Sequence, residues 1–178
     1  MMFADRMKDI ELDSKYADIV EKEIYNGIIS GISLNGKAFF YENPLEVNLI
    51  DRKRHTSLKN PDVRLPITRR QEVFGCSCCP PNLTRFFASV ANNVFSQDES
   101  RIVVHQFMSC TAEFNNMNII MTTDYPADGK VSISVHNAKG KTLLVRIPGW
   151  CKNYSFSKSF IVKHGYAGMQ VDSDEFNL

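Results

Sequence analysis

Gly75-Cys76-Ser77-Cys78-Cys79-Pro80-Pro81-Asn82 is the most informative stretch of this chain, because three thiols lie within four residues and directly precede two prolines. From Leu83 onward the apolar residues recur at the i, i+3, i+4, i+7 spacing of an amphipathic helix, which predicts a helix over 82–95. Proline is well tolerated in the first turn of a helix. We therefore expect Cys78 and Cys79 at a helix N-terminus, where the helix dipole and free N–H groups lower a thiol pKa.

A thiolate is both a strong nucleophile and a soft metal ligand, so this cluster indicates chemistry more than packing. Vicinal cysteines are poorly placed for an ordinary disulfide. Structural zinc takes four ligands, and the cluster supplies two or three of them. The histidines form no ligand pair at metal spacing and are predicted to be ordinary surface or core residues: His55, His105, His136 and His164. A lone cysteine is usually a small buried hydrophobe, and we predict this for Cys110 and Cys151.

The cysteine segment, extended over 74–85, closely resembles the cysteine motif of the bacterial β-L-arabinofuranosidase family, glycoside hydrolase family 127 and its relatives. Further stretches resemble the same family in the same order along the chain. They are Lys-Tyr-Ala-Asp at 15–18, Tyr-Asn-Gly at 25–27, Phe-Phe-Tyr-Glu-Asn-Pro-Leu-Glu at 39–46, Thr-Asp-Tyr-Pro at 123–126, Asp-Gly-Lys-Val at 128–131 and Arg-Ile-Pro-Gly-Trp-Cys at 146–151. The resemblance covers roughly residues 1–151.

The resemblance implies a retaining glycosidase in which a zinc-coordinated cysteine replaces one of the two usual carboxylates. By motif position, Cys78 corresponds to the nucleophile and a zinc ligand, and Cys79 corresponds to a second zinc ligand. Cys76 matches a cysteine without an assigned role. Tyr41 lies in a motif that faces the sugar. The implied cofactor is zinc and the implied substrate is a carbohydrate with arabinofuranosyl groups.

The resemblance also places several family residues upstream of this chain. In the family the remaining zinc ligands lie in a Glu-x-Cys segment before the helix that 1–7 resembles, and the acid/base glutamate lies further upstream. No Glu-x-Cys occurs in this sequence, and Val73 stands where an aromatic residue is common. We therefore expect this chain to bind zinc weakly and to be inactive on its own.

Composition places the chain among ordinary globular proteins. It has 178 residues, 43% of them hydrophobic and 23% charged, with a net charge of +1. Such a balance gives no indication of nucleic-acid binding. No apolar run approaches the length of a membrane span, and charges near the N-terminus interrupt any signal-peptide pattern. Five cysteines, an odd and clustered set, favour a reducing compartment, and so slightly favour the cytoplasm.

The residue pattern predicts an α+β multidomain chain. A helix is expected over 14–30, a hairpin over 31–41 with its turn at Asn35-Gly36, and a surface loop over 47–70. Alternating residues predict strands at 102–107, 117–122, 131–135 and 143–147, and a further strand at 165–169 is expected from the resemblance. We place the domains at 1–96 and 101–178. The resemblance implies the end of an (α/α)6 barrel followed by an antiparallel β-sandwich, both incomplete.

Three functions remain open from the sequence. The first is part of a zinc–thiolate glycosidase acting on β-linked L-arabinofuranosides. The second is a non-catalytic module that binds carbohydrate or a protein partner, and the third is a small metal or redox protein that uses its clustered thiols. An incomplete barrel would also leave apolar helix faces exposed, so self-association through that face is expected.

Overall fold

The computed structural model describes residues 2–41, 70–72 and 81–178. The chain forms two compact units. The first unit consists of Met1–Glu21 together with Ser89–Leu178, and the second consists of Lys22–Ala88. The domain limits expected from the sequence, 1–96 and 101–178, stay a prediction. The expected surface loop at 47–70 lies outside the described residues except for Arg70.

Three α-helices occur in the described residues: α1 at Met2–Ile10, α2 at Ser14–Glu23 and α3 at Pro81–Ser89. In α2 the side chains of Ala17 and Val20 are fully buried, three positions apart on one face. Helical structure continues after α2 as a π-helix at Ile24–Ile28 and a 3₁₀ turn at Ile29–Gly31. The helix expected over 14–30 is thus confirmed in position.

The hairpin expected over 31–41 is also confirmed. Ile32 and Phe39 form an antiparallel bridge, and the amide of Ser33 donates to the carbonyl of Ala38 at 2.7 Å. Gly36 has a φ of 71°, a conformation that glycine adopts without steric strain, so the predicted Asn-Gly turn is observed. Phe39 pairs in turn with Gln71, which adds a third segment to this small β-structure of the second unit.

Nine strands occur in the described residues. They are β1 at Phe95–Gln97, β2 at Arg101–Val104, β3 at Cys110–Phe114, β4 at Met117–Thr123, β5 at Val131–His136, β6 at Thr142–Arg146, β7 at Ile161–Lys163, β8 at Tyr166–Gln170 and β9 at Glu175–Asn177. One sheet has the order β1-β2-β6-β8-β7 and the other has the order β3-β4-β5-β9. The four strands predicted between 102 and 147 are present, and β8 occupies the expected later strand.

Both sheets contribute to a single hydrophobic core. Strand β4 alternates inward and outward side chains, and its Met117, Ile119 and Met121 are buried. Strand β6 alternates in the same way, and its Leu143 and Val145 side chains point into the same core. Side chains of a strand point to opposite faces in turn, so each strand can cover the core with one face while the other face meets solvent.

Helix α3, which precedes the β-rich part in the chain, is shorter than the sequence predicts. Instead of running over 82–95, α3 ends at Ser89, and a 3₁₀ turn at Val90–Asn93 leads directly into β1. Asn92 and Asn93 are weak helix formers, and Val94 is buried in the core of the two sheets. The expectation that Phe86 and Val94 share one helix face is therefore wrong, because tertiary burial of Val94 overrides the helical spacing.

The expected antiparallel β-part is observed except at one pair of strands. Strand β2 pairs in parallel with β6, with Ile102 opposite Leu143, while the other six strand pairings in the two sheets are antiparallel. Between β2 and β6 the chain passes through three strands of the other sheet, so it returns to the first sheet in the same direction. The α+β class is confirmed, while the barrel and the sandwich stay predictions. No helix within the described residues is long and apolar enough to span a bilayer.

Candidate active site and the buried network of the first unit

The two residues predicted to carry the chemistry, Cys78 and Cys79, lie outside the described residues, as does Cys76. What the structure describes is the helix that follows them. Helix α3 begins at Pro81, two positions after Cys79, as the sequence predicts. A proline near a helix start suits a position where the backbone N–H would lack an intrahelical partner. The roles of the two cysteines stay predictions.

Tyr41, the predicted sugar-facing residue, is partly buried and follows the hairpin of the second unit. Two residues earlier, Phe39 exchanges backbone hydrogen bonds of 3.0 and 3.1 Å with Gln71. The guanidinium of Arg70 stacks over the ring of Phe40 at 4.5 Å and donates to the carbonyl of Ser30 at 2.6 Å. The segment leading to Tyr41 and the segment leading to the cysteines therefore lie side by side at this point.

The first unit contains a buried charge network that joins two of the sequence motifs. The side chain of Arg146, at the end of β6, has no exposed surface, and its Nη1 donates to Asp18 Oδ1 at 2.6 Å. Its Nη2 pairs with Glu21, and its Nε donates to the carbonyl of His105 at 2.5 Å. Burial alone would lower the pKa of Arg146, but the charge and hydrogen bonds of Glu21 and Asp18 outweigh it and raise the pKa.

The residues after β6 extend this network. The indole N–H of Trp150 donates to Glu21 Oε1 at 3.0 Å, and the amide of Gly149 donates to Asp18 Oδ2 at 3.1 Å. Both carboxylates of α2 therefore have partners on the segment that follows β6. Charge-assisted hydrogen bonds of this kind are stronger than neutral ones, so they hold Asp18 and Glu21 of α2 against the end of β6 and the segment that follows it.

His105 is a core histidine, which is one of the two ordinary positions predicted for it. Its Nδ1 lies 2.8 Å from the hydroxyl of Tyr166, and its Nε2 lies 2.8 Å from the hydroxyl of Ser96. Burial, together with the nearby charges of Lys8 and Arg146, lowers the pKa of His105 to about 3. The imidazole is therefore neutral at pH 7, and two hydroxyls satisfy its one donor and one acceptor.

The other described histidines lie at ordinary surface or partly buried positions, while the two lone cysteines are less buried than predicted. His136 lies on β5 and is partly buried, and His164 is exposed in a turn, while His55 lies outside the described residues. Cys110 and Cys151 are half-buried free thiols rather than fully buried ones. Burial raises the pKa of Cys110. Across 2–41, 70–72 and 81–178, no three such side chains lie together in a position to hold a metal ion.

Sequence reasoning singled out the segments at 15–18 and 146–151 but did not show that they meet. The part of this network that a sequence can show is the pair of acidic residues, because Asp18 and Glu21 are three positions apart and so lie on one helix face. Their partner is more than 120 residues away in the chain, at 128 positions for Asp18. Local pattern carries no information about such a distant pairing.

Family models match the parts of the chain that contain these segments. A family model described as the catalytic domain of GH127 β-L-arabinofuranosidase matches residues 1–92, and the model of the GH127 middle domain matches residues 101–162. A curated relative, the non-reducing end β-L-arabinofuranosidase of Bifidobacterium longum subsp. longum, is 37% identical over 159 residues. That match covers 85% of this chain and 23% of the relative, so the chain spans about a quarter of that protein.

Solved structures are also similar to nearly the whole of this chain. A GH127 β-L-arabinofuranosidase from Geobacillus stearothermophilus T6 is 37% identical, with a TM-score of 0.77 over 98% of this chain and 29% of that one. A second GH127 β-arabinofuranosidase is 26% identical, with a TM-score of 0.73 over 98% of this chain and 29% of that one. A third protein, described as a glycoside hydrolase, is 29% identical, with a TM-score of 0.76 over 98% of this chain and 30% of that one. From its catalytic-domain match and these relatives, the chain belongs to the GH127 β-L-arabinofuranosidase family.

Proposed function

We propose that this chain carries the nucleophile of a retaining glycoside hydrolase that acts on β-linked L-arabinofuranosyl groups, and that Cys78 is that nucleophile. The observation that carries the proposal is the match of residues 1–92 to the catalytic-domain model, because this match includes the whole cysteine segment. The B. longum relative is named for the same activity. The proposed substrate is therefore a carbohydrate with terminal arabinofuranosyl groups.

In the proposed reaction, the thiolate of Cys78 attacks the anomeric carbon, and a C–S bond forms as the C–O bond to the leaving group breaks. The leaving oxygen takes a proton from a carboxylic acid, which we assign to a part of the family that this chain does not span. Water then attacks the same carbon and gives its proton to that carboxylate, and the C–S bond breaks to restore the thiolate. Two displacements at one carbon retain the configuration of the sugar.

Ionisation of Cys78 is the first requirement of this reaction, because the thiolate is the reactive form. Helix α3 spans nine residues from Pro81, just after the cysteine segment. Free N–H groups and the dipole at the start of such a helix favour negative charge within the first turn. This position supports a lowered thiol pKa for the cysteines that precede the helix.

Zinc is the cofactor that the donor set fits in part. Two adjacent thiols provide the soft ligands that zinc prefers, and they fill two of its four positions. When bound, zinc would keep a coordinating thiol deprotonated at neutral pH. Cys78 and Cys79 are the residues of this chain that we assign as zinc ligands. We place the other ligands, and the acid/base glutamate, in a part of the family that this chain does not span.

The same proposal extends to the architecture and to Tyr41. We assign the described helices to the end of an (α/α)6 barrel and the two sheets with their shared core to a β-sandwich. Tyr41 then contributes to sugar binding near the cysteines, which the pairing of Phe39 with Gln71 supports. Because we assign the general acid to a part of the family that this chain does not span, we propose that the 178-residue chain alone is inactive.

A chimeric enzyme tests the role of Cys78. Residues 1–178 of this chain replace the aligned segment of the B. longum enzyme, and turnover of an aryl β-L-arabinofuranoside is measured. We expect an active chimera, and we expect Cys78→Ala to lower kcat on the order of 10³-fold or more, because no thioglycosyl intermediate can form. The chimera is then treated with a slow fluorinated substrate, denatured and digested. Mass spectrometry should show one sugar bound to the peptide that contains Cys78.

Two matched variants control this experiment. Cys110→Ala and Cys151→Ala remove thiols that the first unit holds half-buried, and both should leave chimera turnover within about twofold. An active Cys78→Ala chimera would overturn the proposed nucleophile. Turnover by the isolated 178-residue chain, lost in Cys78→Ala, would overturn its proposed inactivity and show that the chain contains its own general acid.

A further inference from the structure

The first unit contains a half-open groove of about 960 Å³ at one end of its hydrophobic core. Its floor consists of buried core side chains, including Ile133, Val145 and Ile147. The segment that follows β6, from Pro148 to Ser157, supplies many of the lining residues, and Tyr125 also lines the groove. Small-molecule sites commonly have volumes of about 300–1,000 Å³, so the groove is large enough for a short oligosaccharide.

Aromatic rings line the open side of this groove in fixed positions. The side chain of Trp150 is 62% exposed, yet its indole N–H is held by Glu21. The ring of Tyr125 lies nearly parallel to the Trp150 ring, at 23° and 6.5 Å between centroids. Tyr154 is 46% exposed and is held by edge contacts with Phe156. Rings fixed in this way lose little conformational entropy when a ligand covers their exposed faces.

The rim of the groove is polar and mostly uncharged. Asn153, Ser155 and Ser157 line it and are exposed, and Lys130 is the exposed cation among its lining residues. The second cation in the lining, Arg146, is already paired with Asp18 and Glu21. No aspartate or glutamate is among the described residues that line the groove. Amide and hydroxyl groups of this kind bind hydroxyl groups, and one solvent-exposed ammonium group adds only a weak, screened attraction for anions.

We propose that this groove is a saccharide-binding site of the β-rich part, which takes a neutral oligosaccharide. A sugar ring has apolar C–H faces and a polar hydroxyl edge, which match the exposed aromatic faces and the amide and hydroxyl rim. The site is formed by residues from Phe107 onward, outside the catalytic-domain match at 1–92. It therefore goes beyond the proposed hydrolysis at Cys78 and does not depend on it.

Trp150 makes the groove directly measurable, because it is the one tryptophan in the sequence. The full chain is titrated with an L-arabinofuranosyl oligosaccharide of two to four residues while tryptophan emission and acrylamide quenching are recorded. We expect a saturable shift in emission and reduced quenching, because a sugar that covers the ring excludes water and quencher. Sorbitol at equal concentration should give no saturable change.

Matched variants then identify the site. Tyr154→Ala and Asn153→Ala should each weaken binding by about fivefold, as loss of one aromatic or polar contact commonly does. Phe87→Ala is the control, because Phe87 is 48% exposed, close to the value for Tyr154, but does not line the groove. Phe87→Ala and Cys78→Ala should both leave the dissociation constant unchanged.

Several results would overturn this proposal. No emission change or heat of binding with the oligosaccharide would exclude a sugar site, and so would binding that Tyr154→Ala and Asn153→Ala leave unchanged. Loss of binding in Cys78→Ala would move the sugar to the cysteine segment. A Trp150 shift that depends on protein concentration and accompanies dimer formation would make a second copy of the chain the occupant instead.

Discussion

Nη1 of Arg146 donates to Oδ1 of Asp18 at 2.6 Å, although the two residues are 128 positions apart in the chain. Asp18 lies on α2 and Arg146 ends β6, so this bond joins a helix of the catalytic-domain match to a strand of the middle-domain match. The Arg146 side chain is fully buried. The N-terminal helical segment and the sheets of the first unit therefore share one buried ion network.

Replacing Arg146 with methionine should destabilise the first unit strongly. The variant leaves the carboxylates of Asp18 and Glu21 without their cation, and breaking a buried ion pair on one side costs about 3–5 kcal/mol. Glu21→Gln should cost more than Asp18→Asn, because the Glu21 side chain is 10% exposed and that of Asp18 is 27% exposed. Urea unfolding monitored by Trp150 fluorescence measures all three variants.

Arg101→Met provides the matched control for this prediction. Arg101 also pairs with an aspartate, Asp98, but both side chains are nearly half exposed. Solvent screens such pairs, so the variant should unfold at nearly the same urea concentration as the parent chain. Equal losses in Arg146→Met and Arg101→Met would contradict a special role for the buried network.

Stability should decrease below neutral pH because of His105. Its pKa is lowered to about 3 in the folded chain from an ordinary value of 6.5, so the unfolded chain binds the additional proton. The contribution is complete above about pH 6.5 and is lost as the pH falls toward 3, with a slope of at most about 1.4 kcal/mol per pH unit. Urea unfolding between pH 7 and 4.5 should show this slope, before most carboxylates titrate.

Two variants isolate the His105 contribution. His105→Gln removes the titrating group, so the slope between pH 6 and 4.5 should decrease. Tyr166→Phe removes one hydrogen-bond partner but keeps the imidazole buried, so the slope should persist at lower overall stability. A slope that is the same in His105→Gln and in the parent chain would assign the pH dependence to other groups.

Replacing Gly165 with a residue that has a side chain should lower the stability of the first unit. Its φ is 75°, and an added Cβ would lie 1.8 Å from the Ser14 hydroxyl oxygen and 2.6 Å from the Ser14 Cβ. Gly140 also has a positive φ, 90°, but nothing lies within 4 Å of its added Cβ. Gly140→Ala therefore measures the backbone strain alone, about 1–2 kcal/mol. Gly165→Ala should cost about 1–3 kcal/mol more, from overpacking.

A second substitution tests the cause of that difference. In Gly165→Ala, the further change Ser14→Gly removes the atoms that the new methyl group meets, so it should recover part of the lost thermal stability. The same Ser14→Gly change in the parent chain should only destabilise, since glycine is a poor helix former at the start of α2. No recovery in the double variant would rule out the steric explanation.

Zinc binding by the isolated chain should be weak. The two proposed ligands, Cys78 and Cys79, would fill two of four positions, and an incomplete tetrahedron binds zinc far less tightly than structural sites do. Competition with a chromophoric chelator, under reducing conditions, measures the affinity. Cys78→Ser should weaken it further and Cys151→Ser should not. Tight one-to-one binding would mean that other residues of this chain complete the site.

Self-association should occur through the exposed apolar side chains of α1. Phe3 is 77% exposed and Ile10 is 78% exposed, and their spacing of seven residues places them on one helix face. Light scattering should show concentration-dependent association that decreases in the double variant Phe3→Ser with Ile10→Ser. Leu34→Ser, at the fully exposed hairpin turn, is the control and should change nothing. A parent chain that stays monomeric at high concentration would contradict the prediction.

The sequence by itself determined the local elements and the family. Alternating residues located the strands from Met117 to Arg146, and Asn35-Gly36 located a hairpin turn, because side-chain period and glycine conformation act over a few residues. The order of the motifs identified the GH127 family. The proposed chemistry of Cys78 also comes from sequence alone, since that residue lies outside the described part of the chain.

Only the tertiary structure decided the distant pairings. Burial of Val94 in the core ended α3 earlier than its apolar spacing predicts, and the return of the chain from the second sheet made β2 and β6 parallel. The tertiary structure also determined which groups pair with Arg146. A charged side chain can be buried only where opposite charges and acceptors surround it, and packing, rather than local pattern, brings those groups together from 128 residues away.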